Sequence, residues 1–294
     1  MSIDLENSWL AVDVGNSRIK LGLFRASQQA REIAKSDAAQ SAPANLGKLP
    51  ECVDFESASL KSALEWDKLF DGKYNDQSNA EAIRTVIVGS NQHGVNRIVK
   101  DWPGWLRQPI VIRNSESFPI GVQVDEPRRV GLDRLLNAVA ADSIRNPDQE
   151  VIIVDCGTAT TIDLVSSSGS FCGGAILPGF TLCARALNQY TEVLPLISMD
   201  ELFNLPPSED CHPALGSNTQ SAIMSGVFWG QIGAVRELMS RLSPHQTSGK
   251  ADQPPPELLL TGGGARLLVP YFENSIHCPY LPLQGLVLAA DQQS

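Results

Sequence analysis

Residues Val151–Val165 read VIIVDCGTATTIDLV, and this stretch decides how the chain folds. It is an apolar run that ends in Asp-x-Gly, followed by small hydroxyl residues and a second run of alternating apolar residues. Such a pattern predicts a strand, a tight glycine turn and a second strand. Residues Ser8–Phe24, which read SWLAVDVGNSRIKLGLF, repeat the pattern near the start of the chain. Asp-x-Gly alone is a common turn, but the shared flanking runs favour a duplicated architecture.

Strands and helices are mixed in both halves of the chain, which predicts an α/β fold. The predicted strands outside the hairpins are Thr85–Gly89, Pro109–Arg113 and Glu257–Leu260, and the predicted helices are Gly131–Ile144, Gly179–Thr191, Thr219–Leu242 and Leu283–Ala290. Residues Ala26–Pro50 and Ser243–Pro256 have the composition of loops. Asn146-Pro147-Asp148 interrupts the chain just before the second hairpin, so we predict two domains, 1–146 and 147–294.

Composition excludes several classes of function. The 294 residues carry a formal net charge of −10, which argues against a nucleic-acid partner because duplex binding needs a basic face. No apolar run is long enough to span a membrane, and Asp4 and Glu6 stand where a signal peptide would be basic. We therefore expect a cytoplasmic protein. The six cysteines form no C-x-x-C pair, so neither a zinc site nor a disulfide framework is expected.

The two Asp-x-Gly turns suggest phosphate chemistry. Phosphoryl transfer needs backbone N–H groups, cations and a carboxylate that holds the metal. Asp13 and Asp155 end their strands, where they could organise a cation, and a third turn at Thr261–Gly264 adds another close backbone approach. Two surface turns without function are the alternative, but three glycine turns favour nucleotide binding. The chain has neither a P-loop nor a Rossmann G-x-G-x-x-G motif.

Two further segments allow two interpretations each, and a third has one default interpretation. Asp133 in Gly131–Arg134 either complements a helix dipole or accepts a proton from a substrate hydroxyl while Arg134 grips an anion. Gly173–Gly179 is either an anion site at a helix start or a structural turn. Gly216–Thr219 has the residues of an ordinary helix N-cap, with capping as the default.

Taken in order, seven segments resemble type III pantothenate kinase, a family of the actin-like ATPase superfamily with acetate kinase and sugar kinases. The segments are DVGNSRIKLGLF, GLDRLLNAVAA, VDCGTATTIDLV, GGAILPG, Tyr190-Thr191 with Leu194-Pro195, GSNTQSAIMSG and TGGGA. The resemblance implies two RNase H-like domains related by duplication, with the nucleotide in the cleft between them. It also implies ATP-dependent phosphorylation of the pantothenate hydroxyl, the first step of coenzyme A biosynthesis.

The resemblance further implies roles for individual residues. Asp133 would be the catalytic base, and Asp155 would ligate a monovalent cation, potassium or ammonium. The other ATP and Mg²⁺ contacts would come from Asp13, Val14, Gly15, Asn16, Ser17, Arg18, Ile19, Lys20 and Thr158, with Asp13 as the carboxylate near Mg²⁺. Pantothenate would contact Gly131, Leu132, Asp133, Arg134 and Thr219. Family members are homodimers, and the partner subunit would supply Thr219.

The chain departs from the family pattern at several positions. Ser17 replaces the usual Thr and keeps the hydroxyl. Val124 stands where many members place a Tyr that lines the pantothenate site, which bears on affinity rather than on reaction type. The polar stretch Ala26–Asp76 has no role that the pattern explains.

Two other functions remain compatible with the sequence. Some relatives are known as Bvg accessory factors, so a non-catalytic regulatory protein is one alternative. The negative charge and the three aspartates Asp13, Asp133 and Asp155 count against it. The other alternative is a kinase of the same superfamily that acts on another small hydroxylated substrate, because a fold does not fix a substrate.

Overall fold

The chain divides into two compact units. In the computed structural model, residues 8–25, 49–72, 80–116, 118–204, 212–242 and 254–292 are described. One unit comprises Met1–Asn146 with Tyr280–Ser294, and the other comprises Pro147–Pro279. Each unit is built around a mixed sheet.

The sheet of the first unit has the strand order β3-β2-β1-β4-β5. Its strands are β1 (Ser8–Val14), β2 (Arg18–Arg25), β3 (Glu51–Ser59), β4 (Arg84–Gly89) and β5 (Ile110–Val111). Strands β1, β2 and β3 pair antiparallel in succession, whereas β4 pairs parallel with β1 and with β5. Strand β1 is buried along its whole length, as expected for the central strand of a sheet covered on both faces.

Helices complete this unit. They are α1 (Gln92–Lys100) and α2 (Leu132–Ile144), with 3-10 turns at Trp66–Gly72 and Pro127–Arg129 and a short strand β6 (Gly121–Val122). Helix α2 buries most of the stripe that its sequence period predicts, including Leu135, Leu136 and Val139. Its first turn stays accessible, with Leu132 half-buried and Asp133 exposed.

The second unit repeats the same topology. Its strands are β7 (Val151–Cys156), β8 (Ala159–Val165), β9 (Ser170–Pro178), β10 (Glu257–Thr261) and β11 (Ser275–His277). They lie in the order β9-β8-β7-β10-β11, with β7 antiparallel to β8 and parallel to β10. Its helices are α3 (Phe180–Gln189), α4 (Asp200–Asn204), α5 (Thr219–Leu242) and α6 (Ala265–Leu268), with a 3-10 turn at Val269–Tyr271.

The two sheets confirm the predicted duplication. In each, an antiparallel hairpin is extended by a third antiparallel strand on one side and by two parallel strands on the other. This arrangement is the RNase H-like, actin-like pattern that the sequence predicted. Asp13 and Asp155 occupy corresponding positions, each near the end of the central strand and just before the hairpin turn.

The last helix departs from the sequence-based division. The sequence predicts residues 280–294 in the second domain, but α7 (Leu281–Asp291) packs in the first unit against α2 and β1. Asp291 pairs with Arg84 at 3.0 Å, and the main chain of Leu136 lies so close to Gly285 that no side chain fits there. An apolar segment is assigned by what it packs against, which local periodicity does not reveal.

The structure differs from two further sequence-based predictions, one for a connection and one for a turn. Strand β3 was missed, because ECVDFESAS lies in a stretch that looked like polar connection. Gly173–Pro178 forms part of strand β9 rather than a turn. The predicted loops Ala26–Pro50 and Ser243–Pro256 lie mostly outside the described residues. Among the helices that the structure describes, none is long and apolar enough to cross a membrane.

Candidate active site

The first glycine turn joins β1 to β2 and presents Asp13. The Gly15 N–H donates to the Arg18 carbonyl at 3.0 Å, which closes the hairpin. Asp13 is 9% exposed, and the Lys20 ammonium on the facing strand lies 4.0 Å from its carboxylate. The pair is thus fixed in place by register, because Asp13 and Lys20 are direct cross-strand partners.

The eight predicted residues of this turn do not all face the same way. The side chains of Val14 and Ile19 are fully buried in the core, so only their backbone can meet a ligand. Arg18 donates to the Ser57 hydroxyl at 2.7 Å and to its carbonyl at 3.1 Å, which ties β2 to β3. Asn16 and Ser17 are exposed at the tip of the turn.

The second turn is assembled from three chain segments. The Gly157 N–H donates to the Ala159 carbonyl, and the Gly179 N–H donates to the Thr158 carbonyl, both at 3.0 Å. From the third glycine turn, the Gly264 N–H donates to the Cys156 carbonyl at 2.9 Å. The glycine positions predicted to surround phosphate therefore converge on the exposed Thr158 turn.

The third turn places Gly262 directly beside the Asp155 carboxylate. Gly262 has a φ of 85°, and a Cβ there would lie 2.5 Å from the Asp155 Oδ1 atom. Only glycine gives both this backbone conformation and room for the carboxylate. The hydroxyls of Thr161 and Thr261, on the strands flanking Asp155, are buried and have no hydrogen-bond partner in the described structure.

The residues around Asp155 are compatible with the predicted monovalent cation. Across the described residues, no three His, Cys, Asp or Glu side chains cluster in a way that could hold a metal ion. One carboxylate with neighbouring neutral oxygens is instead the type of donor set that suits a large, weakly held cation.

Cys156 lies within the second turn but is not suited to be a nucleophile. It is fully buried, and this burial raises the pKa of its thiol to about 12; the hydrogen bond with Thr160 lowers the pKa, and the Asp155 charge raises it further. Because the thiolate is the reactive form, this cysteine is inert near neutral pH. The turn is thus left with backbone, hydroxyl and carboxylate chemistry.

Asp133 projects from the first turn of α2. It is exposed, and its Oδ1 atom accepts a hydrogen bond from the Arg134 N–H at 2.9 Å. A Cβ on Gly131 would lie 2.5 Å from the same oxygen, so the glycine leaves space for this carboxylate rotamer. The geometry therefore allows helix-dipole stabilisation and proton acceptance together, and the two interpretations are not exclusive.

Thr219 is the first residue of α5. Asn218 caps the helix, since its Oδ1 accepts from the Ser221 N–H at 2.9 Å and the Asn218 N–H donates to the Ser221 hydroxyl at 3.1 Å. The predicted N-cap is therefore confirmed, as a capping box. Thr219 is exposed and lines a mostly apolar cavity of about 1080 Å³ between α3 and α5.

Sequence reasoning missed Gln231, which is 2% exposed on α5. Its Nε2 donates to the Pro178 carbonyl at 2.6 Å, and its Oε1 accepts from the Thr160 hydroxyl at 2.9 Å. The amide thereby links the long helix to strands β8 and β9. A glutamine on the apolar face of a periodic helix was the signal that could have revealed it.

Comparisons with known proteins agree on one family. A family model described as type III pantothenate kinase matches residues 9–241. A type III pantothenate kinase of Dehalococcoides mccartyi is 34% identical over 284 residues, which cover 94% of this chain and 93% of that protein. Another, of Gluconobacter oxydans, is 35% identical over 223 residues, covering 74% and 75%.

A solved structure shares the fold at low sequence identity. It is described as a conserved putative Baf family transcriptional activator from Campylobacter jejuni. The identity is 18% and the TM-score 0.53, with 97% of this chain and 98% of that chain covered. This likeness concerns the fold alone.

Proposed function

The chain belongs to the type III pantothenate kinase family, and we propose that it uses ATP to phosphorylate pantothenate to 4'-phosphopantothenate, the first step of coenzyme A biosynthesis. The observation that carries the proposal is the exposed Asp133 carboxylate, held against Gly131 at the start of α2. A general base must reach solvent-borne substrate, and this carboxylate does so from a rigid element.

ATP phosphates meet the two hairpin turns. The Gly15–Ser17 tip offers backbone N–H groups and the Ser17 hydroxyl, and Lys20 supplies a positive charge beside Asp13. Arg18 belongs to the same predicted phosphate loop, and its hydrogen bond to Ser57 also holds the turn to β3. In the second unit, Thr158 contributes its exposed hydroxyl to the phosphates.

Two kinds of cation complete the site. Asp13 holds Mg²⁺ through its carboxylate, as expected for an ion that takes one or two carboxylates and otherwise water and phosphate oxygens. Asp155 holds the monovalent cation. When bound, these ions offset the negative charge of the phosphates; the chain supplies the positions of the carboxylates.

Pantothenate binds at the start of α2. Asp133 accepts the proton of the substrate hydroxyl, and Arg134 pairs with the substrate carboxylate, with Gly131 and Leu132 forming the adjacent backbone surface. Most of the rate enhancement comes from positioning and charge stabilisation, and the base contributes about 10²- to 10⁴-fold. Thr219 of the partner subunit in a homodimer completes the site. The enzyme is cytoplasmic.

Large exposed apolar side chains on the second unit support the homodimer. They include those of Leu182, Tyr190, Val193, Leu196 and Leu215. They lie on α3, in the segments that follow it, and just before α5, whereas Thr219 opens the same α5 helix. Surfaces of this kind mark contacts with other chains.

The test is ADP release by the purified protein with ATP and Mg²⁺, with and without pantothenate, in potassium and in sodium buffer. We expect turnover that requires both pantothenate and potassium or ammonium. Asp133→Asn should keep the fold, since the side chain is exposed, and should lose at least about 10²-fold in kcat. Asp148→Asn is the matched control, because Asp148 is exposed and has a φ of 61°, a conformation that asparagine accepts.

The outcomes separate this proposal from its alternatives. Near wild-type rates for Asp133→Asn would remove the assigned role of that residue. A folded dimer that never consumes ATP with pantothenate would favour a regulatory protein or another substrate. Of these two alternatives, the net charge of −10 disfavours a regulatory protein that contacts DNA directly.

A further inference from the structure

The duplicated units place different residues around their two aspartates. In the first unit, the cross-strand neighbours of Asp13 are Lys20 on β2 and Val88 on β4. In the second unit, the corresponding neighbours of Asp155 are Thr161 on β8 and Thr261 on β10. The side chains of direct partners in a ladder project to the same face of a sheet. In each unit, these neighbours therefore lie on the same face as the aspartate. A fixed ammonium in one unit is therefore matched by a neutral hydroxyl in the other.

The two threonine hydroxyls are incompletely satisfied. The Oγ1 atoms of Thr161 and Thr261 are both buried and lack a hydrogen-bond partner in the described structure, and Thr261 is 0% exposed. A buried hydroxyl without a partner is costly, and valine has the same shape without that cost. Two such oxygens on either side of one carboxylate indicate a bound cation that oxygen atoms coordinate.

We propose that the Thr161 and Thr261 hydroxyl oxygens join the Asp155 carboxylate in holding a monovalent cation, and that this ion takes the place that the Lys20 ammonium has in the first unit. The inference rests on the proposed function, since the cation at Asp155 belongs to it, and it extends that site to two further residues. Neutral oxygens suit potassium, which exchanges its hydration shell for oxygen dipoles.

Thermal unfolding without substrate tests the hydroxyl ligands. Potassium chloride replaces choline chloride at constant ionic strength, and potassium should raise the wild-type Tm. Thr261→Val should unfold at or above the wild-type Tm in choline, because an unsatisfied hydroxyl is removed, and below it in potassium, because a ligand is lost. Its potassium midpoint should rise by roughly tenfold. Thr261→Ser, which keeps the hydroxyl, should behave like wild type.

Thr85→Val is the matched control. Thr85 is 2% exposed on strand β4, and its hydroxyl donates to the Arg107 carbonyl at 2.9 Å. The same substitution there removes a hydrogen bond that is made, so the Tm should fall equally in choline and in potassium. A Thr261→Val variant that responds to potassium as wild type does would overturn the proposal, as would a wild-type Tm independent of potassium.

Thr161→Lys tests the correspondence with Lys20. An ammonium at this position should make the Tm insensitive to potassium and should permit ADP release in choline buffer. If the activity of this variant still requires potassium, the proposed equivalence of the bound cation and the Lys20 ammonium is wrong. If the variant does not fold by circular dichroism, Thr161→Val, which should raise the potassium midpoint of the Tm as Thr261→Val does, decides in its place.

The readouts separate failure of this inference from failure of the proposed function. The Tm response is measured without ATP or pantothenate, so it stands even if pantothenate is not the substrate. Conversely, pantothenate-dependent turnover with no potassium effect on either Tm or rate would leave the kinase assignment intact and remove the cation site.

Discussion

Asp133 owes its position to the residue two places before it. Gly131 has ordinary extended dihedral angles (φ −58°, ψ 134°), so the glycine is not required by its backbone conformation. It is required by space, since a Cβ would lie 2.5 Å from the Asp133 Oδ1 atom. A single methyl group would therefore displace the proposed base without disturbing the helix that carries it.

Gly131→Ala should accordingly act on turnover and not on folding. We expect kcat to fall by about 10- to 10²-fold, because small misplacements of a reacting group have effects of that size, while the Tm changes little. Steady-state ADP release and thermal unfolding measure the two quantities. Gly104→Ala is the control, since its Cβ would meet no atom within 4 Å. Equal kcat values for the two variants would show that the Asp133 rotamer does not matter.

At this scale the sequence predicted the carboxylates better than their surroundings. Asp13 and Asp155 follow from the Asp-x-Gly pattern, because a strand end and a glycine turn are local features. Gln231 does not, since its partners Pro178 and Thr160 are 53 and 71 residues away in the chain. The contact of Arg18 with Ser57 does not follow either, since it depends on β3, a strand that the pattern did not reveal.

Helix α5 is joined to the second turn through one buried amide. Gln231 bonds to the Pro178 carbonyl and to the Thr160 hydroxyl, and the residue after Pro178 holds the Thr158 carbonyl through its N–H group. These bonds connect the helix to the strand that follows Thr158 and to the segment that binds the Thr158 carbonyl. A change in the helix therefore bears on the position of the proposed phosphate contact, and Gln231 is a positioning residue.

Gln231→Met should weaken ATP binding more than it slows the chemical step. The methionine keeps the length of the side chain but leaves the Thr160 hydroxyl and the Pro178 carbonyl without this partner, at a cost of about 1–3 kcal/mol each in the free energy of unfolding. We expect the KM for ATP to rise severalfold with a smaller change in kcat. Gln220→Met, on the exposed side of the same helix, should change neither. A loss of stability with an unaltered KM would indicate a purely structural role.

At the scale of the whole molecule, the duplication can be predicted from the sequence, but the packing of all elements into their units cannot. The repeated hairpin pattern sufficed to predict two related sheets, because each hairpin is a local signal. The packing of α7 into the first unit was not, since LPLQGLVLAAD is apolar on nearly all sides and would suit either core. The third antiparallel strand of each sheet, β3 or β9, is not predicted either, because apolar and polar residues alternate only weakly in it.

The proposed homodimer predicts the effect of a charge on the apolar surface. Val193 is 85% exposed, so Val193→Arg should leave the fold intact and separate the subunits, which light scattering would detect as a change from about twice 31.7 kDa to that mass. Pantothenate-dependent turnover should fall with the dimer, because Thr219 is then missing from the site. Ile110→Arg, on β5 of the first unit, should remain dimeric. A wild-type monomer with full activity would refute the assembly.

The return of the chain to the first unit predicts opposite effects for two helical glycines. Gly285 on α7 lies against the main chain of Leu136 on α2, so Gly285→Ala forces two packed helices apart and should cost about 1–3 kcal/mol in the free energy of unfolding. Gly233 on α5 is exposed and has open space, so Gly233→Ala should gain up to about 1 kcal/mol from helix propensity. Urea unfolding of both variants measures the difference. If α7 were only an appended segment, the two substitutions would have the same sign, and the first unit would not depend on the end of the chain for its core.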